Sequence, residues 1–198
     1  MESKSPTRDP EFTRKQLIIA ARREFNTVGY FATDTNKIAR IAGYAPGSFY
    51  RHFKDKIDIF LEVYREWHLE QMHEIERALF SSGGSIETMS ESLASIVVTF
   101  YGNWQPLRAS ARVLVISEER VAEFKTGRRT LLVQNIAALR SHLKLVPLPE
   151  SEIILFLIMV ERLGDAVSEG EFDLPSLPEG SGRKALVDLI ARFLRGAA

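Results

Sequence analysis

The spacing of hydrophobic residues predicts helices along the whole chain. Apolar residues recur at helical intervals, as in Leu17, Ile18, Ala21, Phe25 and Val28, and no stretch alternates strictly enough to predict a strand. The predicted helices cover about residues 13–29, 33–42, 46–53, 56–80, 85–103, 107–116, 118–144, 150–168 and 183–195. The predicted fold class is therefore all-α.

Residues 38–53 predict two short helices joined by a sharp turn. The first helix breaks at Gly43, and the next restarts at Pro46, whose fixed φ suits a first helical position. Phe49 and Phe53, four residues apart, must pack inward. The polar side chains of the second helix then remain outside: Ser48, Arg51 and His52. An exposed helix with polar side chains fits a DNA major groove.

The helices predict a small head and a larger second domain. Residues 1–12 are polar and lack an apolar period, which predicts a flexible arm whose Lys4 and Arg8 could reach DNA. Residues 13–56 form the head. The fourth helix, roughly 36 Å long at 1.5 Å per residue, joins it to the helical domain of residues 57–198.

The net charge also differs between the predicted head and the rest of the chain. The chain is neutral overall, yet residues 1–56 carry eleven lysines and arginines against six acids, a net charge of +5. A basic head on an acidic body suits a protein that presents only its head to phosphates, although chance clustering can also produce such a patch. The charge split therefore supports, without requiring, a nucleic-acid partner.

Composition favours a cytoplasmic protein without a cofactor. The chain has no cysteine, no signal peptide, and no apolar run near the roughly 20 residues that span a bilayer. Motifs for phosphate loops, dinucleotide binding and nucleophilic hydrolysis are absent. His68 and His73 lie about 140° apart on a helix, which disfavours a shared metal ion. We therefore expect neither an enzyme nor a metal site.

The last two helices predict a homodimer. Residues 153–160 are apolar on every side, so this helix must be covered all round, and the final helix is similarly rich in apolar residues. Two copies could form a four-helix interface across a two-fold axis. The alternative is a monomer whose own core covers both helices.

The second domain also contains apolar and aromatic residues suited to a pocket for a small apolar or amphipathic ligand. Ordinary core packing is an alternative explanation for each of them. The candidates are Trp67, Met89, Phe100, Tyr101, Trp104, Phe124, Phe156 and Met159.

A wider pattern in the head places apolar, glycine and aromatic residues at fixed spacing: Leu17-Ile18, Ala20-Ala21, Phe25, Gly29-Tyr30, Ala32-Thr33, Ile38-Ala39, Ala42-Gly43, Gly47, Tyr50, His52-Phe53, Lys54 and Lys56. This pattern resembles the N-terminal domain of the tetracycline-repressor (TetR) family. The C-terminal residues match no motif, and their helical pattern only agrees with the ligand-binding and dimerisation domain of that family.

The resemblance implies a role for individual residues. Thr33 would cap the second helix, and phosphates would be approached by Tyr50, His52 and Lys54. The turn and groove face would hold Tyr44, Ala45, Pro46, Ser48 and Phe49. Ser48 is the first candidate for a base edge, and Arg51 or Lys37 could add further contacts.

Three positions depart from the family pattern. The family usually has a second threonine at Asp34, a small aliphatic residue at Tyr44 and a serine at Ala45. Asp34 suits a helix N-terminus but would repel a phosphate there. Ala45 removes a cap worth roughly 1 kcal/mol.

The function expected from these features is DNA-binding transcriptional regulation. The leading hypothesis is a homodimeric repressor that a small ligand releases from its double-stranded operator. The alternative is a ligand-independent activator or structural factor.

Overall fold

The computed structural model describes residues 9–81, 83 and 85–196, and every regular element within these residues is an α-helix. The all-α prediction is confirmed. The helices are α1 (Pro10–Thr27), α2 (Thr35–Ile41), α3 (Pro46–Phe49), α4 (Lys56–Ser81), α5 (Ile86–Asn103), α6 (Gln105–Ser117), α7 (Glu119–His142), α8 (Glu150–Ser168) and α9 (Ser181–Arg195).

The described chain forms two compact units. The N-terminal unit holds residues 9–68 and 106–114, and the C-terminal unit holds residues 69–105 and 115–196. The boundary therefore lies inside α4, at residue 68 rather than at the predicted residue 56. The reason is that the first turns of α4 complete the core of the head through apolar side chains that are almost fully buried: Ile57, Ile59, Phe60, Val63, Tyr64 and Trp67.

Helix α1 begins earlier than predicted. The Asp9 carboxylate accepts a hydrogen bond from the Glu11 amide at 2.9 Å, and Pro10 takes the first helical position. Residues 10–12, predicted as part of the flexible arm, are consequently helical. The rest of the predicted arm, including Lys4 and Arg8, lies outside the described residues.

The core of the head follows the predicted hydrophobic pattern closely. Leu17, Phe25 and Phe49 are fully buried, and the rings of Phe25 and Phe60 meet edge to face at 5.5 Å. Two apolar residues of the head are more exposed than this core, since Val28, part of the apolar period of the first helix, and Ile41 are each 41% exposed. Both lie at helix ends, Val28 as the C-cap of α1 and Ile41 as the last residue of α2, where the chain leaves the core.

Part of α6 belongs to the head. The Ser110 hydroxyl accepts a hydrogen bond from the Tyr30 amide at 2.9 Å and donates to the Pro106 carbonyl at 2.8 Å. A Cβ atom on Gly29 would lie 2.9 Å from the Ser110 oxygen, and the positive φ of Gly29, +79°, also requires glycine. This hydroxyl thereby ties α6 to the turn that follows α1.

The C-terminal unit is built on the contacts of α5 with α8 and α9. Gly164 of α8 lets α5 approach so closely that an added Cβ would lie 2.5 Å from Val97 Cγ1. Arg140 of α7 is 2% exposed and donates to the carbonyls of Val146 and Phe193, at 2.7 Å each. Of the helices described, none is both long enough and apolar enough to cross a membrane.

Candidate nucleic-acid interface

A glycine turn sets the angle between α2 and α3. Gly43 has a φ of +80°, and the Tyr44 amide donates back to the Ala39 carbonyl at 2.9 Å, which satisfies a carbonyl at the end of α2. Ala45 then precedes α3 without a side-chain cap, as the sequence indicated. The two helices predicted around Gly43 are both present.

Helix α3 is shorter than predicted and ends at Phe49 instead of Phe53. The amides of His52 and Phe53 both donate to the Phe49 carbonyl, so residues 50–53 form a turn. The spacing predicted that Phe49 packs inward, whereas the family resemblance placed it at the turn and groove face. Phe49 is fully buried and packs on Phe53 with ring centroids 5.5 Å apart, which confirms the first prediction and contradicts the second. Its large apolar ring therefore belongs to the core.

Tyr50 connects the end of α3 to the start of α2. Its ring is 60% exposed, and its hydroxyl lies 2.9 Å from the Thr35 hydroxyl, with either atom as the donor. His52 and Tyr44 are half-buried nearby in sequence. The exposed ring keeps the Tyr50 hydroxyl accessible to a further acceptor such as a phosphate oxygen.

Asp34, rather than Thr33, caps α2. The Asp34 carboxylate accepts from the Lys37 amide at 2.8 Å, whereas Thr33 is only 5% exposed. The Thr33 hydroxyl instead donates to the buried Glu24 carboxylate at 3.2 Å. The prediction that Thr33 caps this helix is wrong, because one residue further on a carboxylate fills the capping position.

The same Glu24 carboxylate binds the Lys37 ammonium at 2.7 Å. Lys37 was predicted to contact DNA, but its ammonium is paired with Glu24, although 41% of the side chain is exposed. Arg14 likewise pairs with Glu62 at 2.8 Å. Other cations stay exposed and form no ion pair with any described residue: Lys15, Arg23, Arg40, Arg51 and Lys54. Arg40, Arg51 and Lys54 belong to the helix-turn-helix segment and can meet an anionic partner.

Lys56, at the start of α4, holds the segment between α1 and α2. Its ammonium donates to the Tyr30 carbonyl at 2.9 Å and the Thr33 carbonyl at 2.8 Å, and it lies 4.0 Å from the Tyr30 ring centroid. Burial lowers the pKa of this ammonium, and the negative charge of Asp34 acts in the opposite direction. Lys56 thus fixes the position of α2 relative to α4.

Sequence reasoning missed three exposed or half-exposed polar residues of α2. Thr35 meets Tyr50, and Asn36 and Arg40 are exposed one helical turn apart. The available signal was their spacing, since residues i and i+4 of a helix share a face, opposite the apolar Ile38 and Ala39.

The predicted ligand residues do not all fall in one unit. Trp67 belongs to the core of the head, where it is 1% exposed and stacks on Tyr64 at 5.8 Å. Phe156 stacks on Phe193 at 3.6 Å, and Met159 is 44% exposed. The remaining candidates lie in the C-terminal unit, buried or half-buried: Met89, Phe100, Tyr101, Trp104 and Phe124.

The helix-turn-helix segment thus has a glycine turn between two short helices, an exposed tyrosine and three cations that are available to an anion. These features define the class of helix-turn-helix DNA-binding proteins. Residues 17–63 match the family model of bacterial regulatory proteins, tetR family. The head is therefore similar to the DNA-binding domains of the tetR family.

Two curated relatives carry the same domain. The chain is 30% identical over 89 residues to an HTH-type transcriptional regulator, YdgC, of Bacillus subtilis, covering 45% of this chain and 46% of that protein. It is 32% identical over 89 residues to the HTH-type transcriptional regulator AcrR of Shigella flexneri, covering 43% and 40%. The match spans less than half the length of either relative. Transcriptional regulators of this kind are not enzymes.

Solved structures share the fold over nearly the whole chain. A TetR-like transcriptional regulator from Rhodococcus has a TM-score of 0.63 at 18% identity, covering 98% of this chain and 100% of that chain. A second transcriptional regulator from Rhodococcus has a TM-score of 0.70 at 16% identity, covering 93% and 97%. The fold of these regulators therefore extends to the C-terminal unit as well.

Proposed function

We propose that the protein is a homodimeric repressor that leaves its double-stranded DNA operator when a small apolar or amphipathic ligand binds the C-terminal unit. The observation that carries the DNA-binding part is the group of exposed cations around α2 and α3. Arg40, Arg51 and Lys54 can each release counterions from DNA, whereas Lys37 is already neutralised by Glu24.

Support for a dimer comes from the outer face of α8. Leu155, Ile158 and Met159 are 57%, 40% and 44% exposed, and their spacing places them on one stripe of the helix. An isolated chain would leave this stripe in water, whereas a two-fold axis would bury it against its own copy. Two heads in one dimer would then enter major grooves about 34 to 36 Å apart.

Support for ligand control comes from the continuity of two helices. Residues 56–68 of α4 belong to the N-terminal unit and its remaining residues to the C-terminal unit, and α6 is divided in the same manner. A ligand that favours one arrangement of the C-terminal unit can therefore change DNA affinity through continuous backbone. By linkage, DNA must then weaken ligand binding by the same factor.

Phosphate binding is tested with Tyr50→Phe and Lys54→Ala in a titration of a DNA duplex at several salt concentrations. Because both heads of the dimer carry Lys54, the loss of its two phosphate contacts should make the slope of log affinity against log salt shallower by about 1.8. Lys37→Ala is the comparison variant: its ammonium is bound to Glu24, so at a temperature where the variant stays folded the slope should change less than in Lys54→Ala. Unchanged affinity and slope in both test variants would contradict the assigned DNA face.

Ligand control is tested by screening small apolar and amphipathic compounds for those that raise the melting temperature of the full chain. Compounds that bind are then titrated against the protein–DNA complex at constant salt. The proposal predicts a loss of DNA affinity, and a tight ligand that leaves this affinity unchanged would contradict it.

A further inference from the structure

The outward surface of α3 has little chemistry with which to distinguish bases. Ala45, Pro46 and Gly47 are exposed but have no side-chain donor or acceptor, and Phe49 is fully buried. Ser48 is half-buried, and a single hydroxyl discriminates poorly between bases. Additional groups that distinguish bases are therefore needed outside this four-residue helix.

The exposed side of α2 adjoins α3. At 100° per residue, three sides of α2 can be assigned from contacts. Thr35 faces the end of α3, because its hydroxyl meets Tyr50 at 2.9 Å. Lys37 faces α1, because its ammonium meets Glu24 at 2.7 Å. The side between them, opposite the buried Ile38, holds Asn36 and Arg40.

Asn36 and Arg40 have the chemistry that α3 lacks. The amide of asparagine pairs with the two major-groove positions of adenine, and the guanidinium fork of arginine pairs with those of guanine. Both side chains are exposed, one turn apart, and Arg40 forms no ion pair with any described residue. Neither therefore has to leave a charged partner before it meets DNA.

We propose that α2 takes part in sequence recognition, with Arg40 reading a guanine and Asn36 reading an adenine in the major groove of each half-site. This inference rests on the proposed DNA binding. It adds base contacts from the helix that precedes the turn, while the segment that follows α3 supplies phosphate contacts through Tyr50 and Lys54.

The test is selection of preferred sequences from random DNA duplexes by the full-length protein and by three variants, Arg40→Ala, Arg40→Lys and Asn36→Ala. Arg40→Ala should lose a guanine preference at one position of each half-site, Arg40→Lys should weaken that preference, and Asn36→Ala should lose an adenine preference. Affinity for the duplex selected by the unaltered protein should fall roughly 5- to 150-fold for each lost base pair contact.

Two comparisons distinguish recognition of particular bases from general electrostatic attraction to DNA. Arg40→Lys keeps the positive charge but loses the planar guanidinium fork, so its affinity for random DNA should be retained while the guanine preference becomes weaker. Lys54→Ala should weaken binding to all duplexes about equally and leave the preferred sequence unchanged. Because all three side chains are exposed, melting temperatures should stay close to that of the unaltered protein.

Two negative outcomes have different meanings. If the unaltered protein selects a sequence and all three variants select it with the same preference, base reading by α2 is wrong while the proposed function stands. If the unaltered protein selects no sequence, the proposed function is wrong and this inference falls with it.

Discussion

The Lys37 ammonium lies 2.7 Å from the Glu24 carboxylate, and Glu24 is only 8% exposed. Thr33 donates to the same carboxylate at 3.2 Å. The buried carboxylate of Glu24 on α1 thus binds both Thr33, which precedes α2, and Lys37 in the first turn of α2. This contact divides the basic residues of the head into those that stabilise it and those that can bind DNA.

Lys37→Met should destabilise the head, and it should change the salt dependence of DNA binding less than Lys54→Ala does. The substitution leaves the buried Glu24 carboxylate with one fewer donor, which costs about 1–3 kcal/mol in the free energy of unfolding. Chemical denaturation measures this loss, and the double variant Glu24→Gln, Lys37→Met should recover part of it. A lowered salt slope of DNA binding with unchanged stability would instead place Lys37 on a phosphate.

Lys56→Met should change how stability depends on pH. Burial lowers the pKa of Lys56 in the folded protein, so between that lowered value and its ordinary value of 10.5 the unfolded chain holds more protons. Stability from this group therefore rises as pH increases through this window. Denaturation at several alkaline pH values should show a smaller rise in the variant than in the unaltered protein.

The control for Lys56→Met is Lys54→Met, which removes an exposed ammonium two residues away. This control should leave the rise of stability with pH unchanged. An equal pH dependence in the Lys56 variant and the unaltered protein would show that burial does not affect this ammonium. Lys56→Met should also lower stability at neutral pH, because two hydrogen bonds to the carbonyls of Tyr30 and Thr33 are lost.

Gly164→Ala should destabilise the C-terminal unit. The new Cβ would lie 2.5 Å from Val97 Cγ1 and 2.7 Å from the Tyr101 ring, and such overpacking costs about 1–3 kcal/mol. Gly127→Ala is the matched control, since this helical glycine of α7 has no neighbouring atom within 4 Å of an added Cβ. The free energy of unfolding of the control should rise by about 0.5–1 kcal/mol, because alanine favours a helix more than glycine does. Equal melting temperatures for the two variants would exclude the close approach of α5 and α8.

Met159→Glu should disrupt the proposed dimer. The charge would be placed in the middle of the exposed apolar stripe of α8, where a partner copy would have to desolvate it. Sedimentation velocity should show a dimer for the unaltered protein and a monomer for the variant. Leu131→Glu, at an equally exposed position of α7, should remain dimeric. A dimeric Met159→Glu protein would place the interface elsewhere.

Much of the head could be predicted from sequence because its signals are local. Gly43 and Pro46 end and begin helices by their own backbone preferences, and the spacing of Phe49 and Phe53 determines which side is buried. The start of α2 was misplaced by one residue, since Thr33 and Asp34 are both good caps. Only the distant partner Glu24 distinguishes them, by binding Thr33.

The interface was harder to predict, because sequence does not show which charges are already paired. Lys37 and Arg40 look equivalent in the chain, yet one meets a buried acid and the other stays exposed. The aromatic residues of the pocket prediction present the same difficulty. Trp67 lies in the N-terminal unit and Trp104 in the C-terminal unit, and the boundary between the units falls inside α4. Helical periodicity continues through this boundary and therefore does not predict it.

The central claim is sequence-specific DNA binding by the head, and it is tested most directly by competition between two duplexes for the full-length protein. One duplex carries the sequence selected from random DNA, and the other has the same composition in scrambled order. At about 150 mM salt, the account predicts at least about 1,000-fold tighter binding to the selected duplex. Equal affinity for the two duplexes would contradict it.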